Sequence, residues 1–188
     1  MSKMHKFNGV ILAGGHSSRM GADKALLTLD GETLLARAQQ LLSECGAGKV
    51  RVCRNDDNPA HIQDQFKDSG PLGGIHAALA EDSSRPTLVI PVDLPLMQCS
   101  ELSRLIDAGF THQCTSHFDD LYIPIFIWNP ESLIDGLTQR LVEGERLSLK
   151  RFFSEREERS IPCIDEQQLL NANTPEEWQE ILERFQSL

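Results

Sequence analysis

The sequence predicts one α/β domain with a mostly parallel sheet. Helical and strand patterns alternate along its 188 residues, with no long polar linker, low-complexity stretch or internal repeat between them. An apolar run at 10–13 ends in two adjacent glycines, and a second apolar run at 87–92 ends just before Asp93. Ligands of open parallel sheets bind beyond the carboxyl ends of the strands. We therefore expect Gly14, Gly15 and Asp93 to face one crevice.

The individual elements follow from hydrophobic periodicity and from turn residues. Short runs rich in apolar, β-branched or aromatic residues predict strands. These runs lie at 10–13, 49–53, 87–92 and 121–128. Apolar residues three and four positions apart predict helices, and a capping box opens the last one. The helices are expected at 34–45, 71–79, 101–110, 130–141 and 175–185.

Three local signals add detail to these elements. Pro124 indicates either an edge position or a break in its strand, because proline cannot donate a hydrogen bond to a sheet. Ser100 is expected to be the N-cap of the helix that follows it. The acidic runs at 155–158 and 176–177 are expected to be exposed faces of helices.

Composition excludes several classes of protein. The formal net charge of −10 disfavours a protein that coats nucleic acid or an anionic membrane, since both need a basic face. No stretch is apolar enough to span a membrane or to form the core of a secretion signal, so we expect a soluble cytoplasmic protein. The five cysteines are scattered and form no Cys-x-x-Cys pair, which predicts reduced thiols that mostly serve as small core residues.

The segment 10–24 indicates phosphate binding. Adjacent glycines after a strand let backbone N–H groups approach an anion, and Arg19 and Lys24 could add charge-assisted hydrogen bonds to phosphate oxygens. The segment is neither a P-loop nor a dinucleotide fingerprint, because Ala25 stands where a P-loop needs a hydroxyl and the glycines are adjacent. Taken alone, it is equally typical of a strand-ending turn with solvated charges.

The sequence contains no recognisable pattern of zinc ligands or of a nucleophilic triad or dyad. The six histidines lack the spacing of zinc ligands, and the sequence shows no recognisable Ser-His-Asp or Cys-His arrangement. Asp93 follows an apolar strand and carries the hard oxygen ligands that Mg²⁺ prefers, although an aspartate close to a proline is also common in turns.

Four segments in a fixed order resemble one enzyme family. They are Leu-Ala-Gly-Gly-x-Ser-x-Arg-Met-Gly-x-Asp-Lys at 12–24, Gly-Pro-Leu-Gly-Gly at 70–74, Val-Asp-Leu-Pro at 92–95 and Asn-Ala-Asn-Thr-Pro-Glu-Glu at 171–177, with a weaker match at 144–153. The set resembles the nucleotidyltransferases, and most closely the molybdenum cofactor guanylyltransferases. This resemblance implies a single-domain, three-layer, Rossmann-like nucleotidyltransferase fold with a mostly parallel mixed sheet.

The resemblance also implies a reaction, in which GMP passes from GTP to the phosphate of molybdenum-molybdopterin and pyrophosphate is released with the help of Mg²⁺. By the same resemblance, residues 1–188 are expected to form one domain, with a nucleotide-binding part at 8–95 and an acceptor-binding part at 96–188. The Leu-Ala-Gly-Gly form favours GTP. The alternatives are a nucleotidyltransferase for CTP or another phosphorylated acceptor, and a non-catalytic nucleotide-binding module.

Roles for individual residues follow from the same resemblance. The implied catalytic residues are Arg19, Lys24 and Asp93. The implied metal ligands are Asp93 and Asn173, with Asn171 as support. Nucleotide contacts are implied for Leu12, Ala13, Gly14, Gly15, Lys24, Asn55, Asp64, Gly70, Pro71, Leu72 and Asp93.

Two of these nucleotide contacts have competing positions. The family places an asparagine after the second strand, where this chain has Cys53 in one register and Asn55 in another. It also places an aspartate before Gly-Pro-Leu, which here is Asp64 or Asp68. Asn55 and Asp64 are preferred.

The acceptor side matches the family less well. Residues 119–124 read Asp-Asp-Leu-Tyr-Ile-Pro, whereas the family often has Gly-Arg before the proline. Arg146 and Lys150 are four positions apart and could hold the anionic acceptor from one helix face, or form a solvated basic patch. The implied partners are GTP, molybdenum-molybdopterin and other proteins of cofactor biosynthesis or delivery, with no nucleic acid and no membrane.

Overall fold

The computed structural model describes residues 6–14, 23–66, 68–119, 121–144 and 148–186. Its strands in chain order are β1 (Asn8–Leu12), β2 (Thr28–Leu29), β3 (Glu32–Thr33), β4 (Val50–Cys53), β5 (Thr87–Pro91), β6 (Thr115–Phe118), β7 (Leu121–Ile127) and β8 (Glu158–Ile161). Its helices are α1 (Leu34–Glu44), α2 (Gly70–Glu81), α3 (Cys99–His112), α4 (Glu131–Val142), α5 (Leu149–Phe153) and α6 (Pro175–Phe185). Short 3₁₀ turns lie at Lys24–Leu26 and Glu166–Leu169.

One mixed sheet of six strands organises the chain, in the order β4-β1-β5-β7-β6-β8. β1 pairs in parallel with β4 and β5, whereas β7 is antiparallel to β5 and β6. β8 is parallel to β6, so β7 runs against the rest of this sheet. The predicted mostly parallel mixed sheet is therefore confirmed, and β2 and β3 form a separate hairpin.

Helices cover both faces of the sheet. One hydrophobic core joins α1, α3 and α6 to Ile90 of β5. The other joins α2, α4 and α5 to Val89 of the same strand. Because neighbouring residues of a strand point to opposite faces, these two side chains mark two cores and three layers. The predicted three-layer arrangement is confirmed.

Every predicted strand and helix is present, with ends that differ by a few residues. The capping box of α6 is confirmed, since Glu177 N–H donates to Thr174 Oγ1 at 3.2 Å and Thr174 N–H donates to Glu177 Oε2 at 2.9 Å. The β2–β3 hairpin, β6 and β8 were not predicted.

Pro124 lies in an interior strand, because β7 pairs with β5 on one side and β6 on the other. The expectation of an edge strand is therefore wrong, and β7 continues through Pro124 without a break, although its pairing with β6 is irregular there. His117 of β6 pairs with Ile125, but its neighbour Phe118 pairs with Leu121, so the register shifts beside Pro124. The proline falls in this irregular stretch, where a missing N–H group is tolerated.

Two other local expectations are wrong. α3 begins at Cys99 with Gln98 as its N-cap, so Ser100 lies inside the first turn. Gln98 N–H donates to Gln168 Oε1 at 2.9 Å, so a side chain from a distant segment supports this helix end. The acidic run at 155–158 is not helical, because α5 ends before it and β8 begins within it to pair with β6.

The cysteines are free thiols, but fewer of them lie in the core than expected. Cys53 and Cys114 are buried, whereas Cys45, Cys99 and Cys163 are partly exposed. In the described part of the chain, no helix combines the length and apolar character needed to cross a bilayer.

Gly109 of α3 faces the buried ring of Phe126, and a Cβ here would lie 2.2 Å from Phe126 Cδ1. We expect Gly109→Ala to lower the free energy of unfolding by roughly 1–3 kcal/mol, because the clash outweighs the better helix propensity of alanine. Urea unfolding measures this change. Gly136→Ala in α4 is the control, since its Cβ would approach the flexible end of Arg156 at 3.3 Å and stability should hold or rise. Equal unfolding midpoints for the two variants would contradict tight packing at Gly109.

Candidate active site

Three polar side chains from distant parts of the chain converge beyond the carboxyl end of β5. Lys24 Nζ donates to Asp93 Oδ2 at 2.9 Å and to Asn173 Oδ1 at 2.5 Å. The side chains of Lys24 and Asp93 are 17% and 19% exposed, so their ion pair is largely shielded from water. We refer to Lys24, Asp93 and Asn173 as the Lys24 cluster.

The sheet fixes Asp93 beside the end of β1. Val92 N–H donates to the Leu12 carbonyl at 3.1 Å, which continues the pairing of β5 with β1. The Asp93 carbonyl accepts a hydrogen bond from Ala172 N–H at 3.0 Å. Asp93 is therefore tied both to the strand that leads into the glycine segment and to the segment before α6.

The capping box of α6 positions Asn173. Glu177 Oε2 accepts hydrogen bonds from the backbone N–H groups of Asn173, at 2.8 Å, and Thr174, at 2.9 Å. Asn171 was expected to support Asn173, but its amide donates to the Leu169 carbonyl at 3.4 Å. The support therefore comes from Glu177.

A short 3₁₀ turn presents Lys24. Asp23 is the N-cap of this turn, and its Oδ1 accepts a hydrogen bond from Ala25 N–H at 3.1 Å. The buried Ala25 anchors the turn in the core. Asp23 is in turn bound by Arg54, which the sequence analysis did not identify. One feature of the sequence could have identified Arg54. It is a basic residue directly after a strand, and the carboxyl end of that strand lies beside the predicted phosphate loop.

Asn55 and Asp64 contact each other through two hydrogen bonds. Asn55 Nδ2 donates to Asp64 Oδ2 at 3.3 Å, and Asp64 N–H donates to Asn55 Oδ1 at 2.8 Å. Burial raises the pKa of the Asp64 carboxyl above its ordinary value. Of the competing positions, Cys53 is buried and its thiol donates a hydrogen bond to the Gly74 carbonyl, whereas Asp68 is exposed just before α2. The structure thus brings Asn55 and Asp64 together, and their contact with a nucleotide stays a prediction.

The amino end of α2 carries the Gly-Pro-Leu segment. Gly70 has a positive φ of 57°, and Pro71 occupies the first turn. Both are exposed, but Leu72 is 1% exposed, so its side chain belongs to the core and only its backbone can face a ligand. A Cβ at Gly74 would lie 2.9 Å from Leu12 Cδ2, so this glycine lets α2 approach β1 closely.

The end of β1 holds the other described residues for which nucleotide contacts were predicted. Leu12 is partly buried, Ala13 is buried and Gly14 is exposed. Ala13 N–H donates to the Cys53 carbonyl at 2.9 Å, so sheet pairing continues up to the first glycine. The exposed backbone of Gly14 therefore follows directly from a rigid strand.

The roles of four further predicted site residues stay predictions. Gly15, Arg19 and Arg146 lie outside the residues that the structure describes. Lys150 is exposed on α5, whose Phe152 and Phe153 pack into the core shared with α2 and α4. A role of Lys150 toward an acceptor stays a prediction.

The oxygen donors of the Lys24 cluster suit a divalent cation. The Asp93 carboxylate and the Asn173 amide oxygen both bind the Lys24 ammonium, so two hard donors already converge on a positive charge. Mg²⁺ usually takes one or two protein ligands and completes its shell with water and substrate phosphates. Across the described ranges, no group of three or more His, Cys, Asp or Glu side chains forms a denser metal site. The chemistry of these oxygen donors therefore fits a magnesium ion.

The chain matches known proteins along most of its length. Residues 9–159 match the family described as MobA-like NTP transferase domain. The chain is 34% identical over 186 residues to the molybdenum cofactor guanylyltransferase of Xanthomonas euvesicatoria pv. vesicatoria, with 97% of each chain covered. It is 33% identical to the molybdenum cofactor guanylyltransferase of Ectopseudomonas mendocina, covering 89% of this chain and 87% of that relative.

Solved structures share the fold. The molybdopterin-guanine dinucleotide biosynthesis protein A from Archaeoglobus fulgidus superposes with a TM-score of 0.78 at 21% identity, covering 96% of this chain and 100% of that one. The 2-C-methyl-D-erythritol 4-phosphate cytidylyltransferase from Thermus thermophilus superposes with a TM-score of 0.72 at 14% identity, covering 95% and 98%. These likenesses confirm the Rossmann-like nucleotidyltransferase fold. Together with the sequence matches, they show that the chain belongs to the MobA-like NTP transferase domain family and is a nucleotidyltransferase.

Proposed function

We propose that the chain transfers GMP from GTP to the phosphate of molybdenum-molybdopterin, with release of pyrophosphate. The convergence of Lys24, Asp93 and Asn173 beyond parallel strands carries this proposal, because nucleotidyl transfer depends on positioning and charge neutralisation. The relatives reported above are named as guanylyltransferases of the molybdenum cofactor, which supports GTP as donor and that cofactor as acceptor.

The proposed chemistry needs no covalent intermediate on the protein. An oxygen of the acceptor phosphate attacks the α-phosphorus of GTP, and a new P–O bond forms. The bond from the α-phosphorus to the bridging oxygen breaks, and that electron pair leaves with pyrophosphate. Lys24 neutralises charge that develops at the α-phosphate, while Arg19 and the backbone at 12–15 hold the leaving phosphates.

Asp93 and Asn173 are the proposed ligands of Mg²⁺. When bound, the ion supplies charge neutralisation between phosphate oxygens. In the structure Lys24 binds both proposed ligand oxygens, so the proposal requires its ammonium to turn from them toward a phosphate oxygen when the nucleotide binds. Under this proposal a cation lies beside the Asp93 carboxylate both before and after the nucleotide binds.

Asp64 is proposed to recognise the guanine base. Guanine presents N1–H and N2–H donors side by side, and an ionised carboxylate is an acceptor for both. Asp64 is oriented by Asn55 and lies at the amino end of α2, where its oxygens are 3.6 Å from the positions of a Cβ at Gly73 and Gly74. Adenine and cytosine lack this paired donor edge, so the contact selects for guanine.

Asp64→Asn is expected to lower kcat/KM for GTP roughly ten- to hundredfold, as expected for the loss of a charged hydrogen bond worth roughly 1.5–3 kcal/mol. Pyrophosphate release is measured with GTP and with ATP. Adenine makes no such contact with Asp64, so the slow rate with ATP should not change. Asp57→Asn, an exposed position of the same loop, is the matched control. An equal loss for both nucleotides would show that Asp64 does not distinguish the base.

We further propose that residues 96–188 bind the acceptor and that residues 8–95 bind the nucleotide, although one sheet joins both parts. The exposure of Lys150 on α5 supports a contact with an anionic acceptor, with Arg146 nearby in sequence.

The free cysteines support a reducing, cytoplasmic location. Other proteins of cofactor biosynthesis or delivery are proposed as partners.

Pyrophosphate release tests the proposed function directly. The purified chain is incubated with Mg²⁺ and each nucleoside triphosphate in turn, with and without molybdenum-loaded molybdopterin. Release that requires both GTP and the acceptor is the expected result. Release with a different nucleotide would correct the donor, and tight GTP binding without acceptor-dependent release would refute the acceptor. No release under any condition would refute guanylyl transfer.

A further inference from the structure

Arg54 joins two loops at the carboxyl end of β4. Its side chain is 13% exposed, and both terminal nitrogens of its guanidinium donate to the Asp23 carboxylate, with Nη1 at 3.2 Å from Oδ1. Arg54 Nε donates to Asp56 Oδ2 at 2.6 Å. Asp56 also lies 2.8 Å from His61 Nδ1, which steadies this second carboxylate. The guanidinium is therefore held in one orientation from two sides.

Asp23 passes this orientation on to Lys24. Its Oδ1 accepts a hydrogen bond from Ala25 N–H at 3.1 Å, so the carboxylate that binds Arg54 also caps the turn at 24–26. From that turn, Lys24 Nζ reaches the other members of the Lys24 cluster. An unbroken path of direct contacts thus links Arg54 to the cluster.

We propose that Arg54 is a positioning residue of this nucleotidyltransferase, which holds the turn at 24–26 so that Lys24 reaches the nucleotide phosphates. The inference rests on the proposed function only in that Lys24 must contact a nucleoside triphosphate. Arginine suits the task because its planar fork binds both oxygens of Asp23 while its third nitrogen binds Asp56. A lysine at this position makes only a point contact.

A purely structural role of Arg54 has a different consequence from a positioning role. If Arg54 only stabilises the fold, its loss lowers the unfolding temperature and leaves nucleotide affinity of the folded chain unchanged. If it acts through Lys24, its loss weakens nucleotide binding, and this loss disappears when Lys24 is already absent. A double-mutant cycle separates the two cases.

Calorimetric titration with GTP and Mg²⁺ tests the proposal on the full chain. We expect Arg54→Ala and Arg54→Lys to raise Kd about tenfold, a typical size for coupling between residues in one network. Lys24→Met is expected to raise Kd at least as much, and the Arg54→Ala, Lys24→Met double variant is expected to match Lys24→Met alone. The unfolding temperature of each variant is measured in parallel.

A control variant and titrations with other nucleotides complete the test of Arg54. Arg85→Ala removes an exposed arginine before the amino end of β5 and should bind GTP like the wild type. An equal rise in Kd with and without Lys24, or no rise at all, would overturn the proposal for Arg54. Titrations with ATP and CTP separate the proposal for Arg54 from the proposed function. Binding of either nucleotide would revise the proposed donor, and the double-mutant cycle would then be run with that nucleotide. A wild-type chain that binds no nucleotide overturns both.

Discussion

Asp93→Asn is expected to slow nucleotidyl transfer about a thousandfold or more while the chain stays folded, since a divalent ion supplies several kcal/mol and each ~1.4 kcal/mol is tenfold in rate. The substitution removes the carboxylate charge that binds the Lys24 ammonium and that is the proposed ligand of Mg²⁺. Asparagine has the same size and keeps an oxygen that can accept from Lys24. The fold and most of the affinity for GTP are therefore expected to survive.

Pyrophosphate release at increasing magnesium concentration is the measurement. The Asp93 variant is expected to need far more magnesium for half of its own maximal rate and to stay below the wild-type rate at saturation. Asp135→Asn makes the same chemical change on the exposed face of α4 and should leave both quantities unaltered. An Asp93 variant with the wild-type rate and magnesium dependence would mean that other residues hold the ion.

Much of the candidate site was predictable because its signals are local. β1 and β5 lie inside the sheet between two cores, so they appear in the sequence as continuous apolar runs. Parallel strands end at one edge, which led to the expectation that Asp93 shares a crevice with the glycine segment. The capping box is also a local signal, and it located the start of α6 next to Asn173.

Two of the missed strands, β6 and β8, carry no local signal of this kind. Every residue of β6 is buried, yet Thr115, Ser116 and His117 are polar. Ser116 satisfies its hydroxyl by donating to the Leu105 carbonyl at 2.8 Å, a contact that only the folded chain creates. β8 is an edge strand, and none of its side chains is buried. Such strands are specified by pairing with distant residues rather than by apolar periodicity.

Arg54 was missed for a related reason. Its partner Asp23 is 31 positions away, and neither residue type is unusual in a loop. Lys24 and Asn173 are 149 positions apart, and family resemblance rather than spacing had linked them. Contacts of this range depend on the topology of the sheet, which places the ends of β4, β1 and β5 side by side.

A second large effect is expected near the amino end of the sheet, away from the Lys24 cluster. Arg51 of β4 has a side chain that is 5% exposed, and its Nη2 donates to Asp82 Oδ2 at 2.5 Å. Asn8 Nδ2 donates to the same oxygen at 3.2 Å. Asp82→Ala is expected to lower the free energy of unfolding by about 3 kcal/mol, because it leaves a buried guanidinium without its close partner. Glu81, at 3.9 Å from Arg51 Nε, is too distant to replace it.

Urea unfolding at neutral pH measures this loss, with Asp135→Ala on α4 as an exposed control. The double variant Arg51→Leu, Asp82→Ala removes both charges and is expected to recover most of the stability, since no unpaired charge then remains buried at this point. A double variant as unstable as Asp82→Ala would assign the effect to other contacts of Asp82, such as those with Ser84.

The same ion pair predicts how stability depends on pH. Hydrogen bonds from Ser84 and from the Arg51 guanidinium hold the pKa of the Asp82 carboxyl well below its usual range. The pKa of an aspartate in the unfolded chain is about 4, so the stabilisation is complete above roughly that pH and is lost as the pH falls toward the folded value. The difference in unfolding free energy between wild type and Asp82→Ala is therefore expected to stay constant from about pH 7 to about pH 5 and to shrink below about pH 4. A difference that grows on acidification would contradict stabilisation by the ionised Asp82 carboxylate.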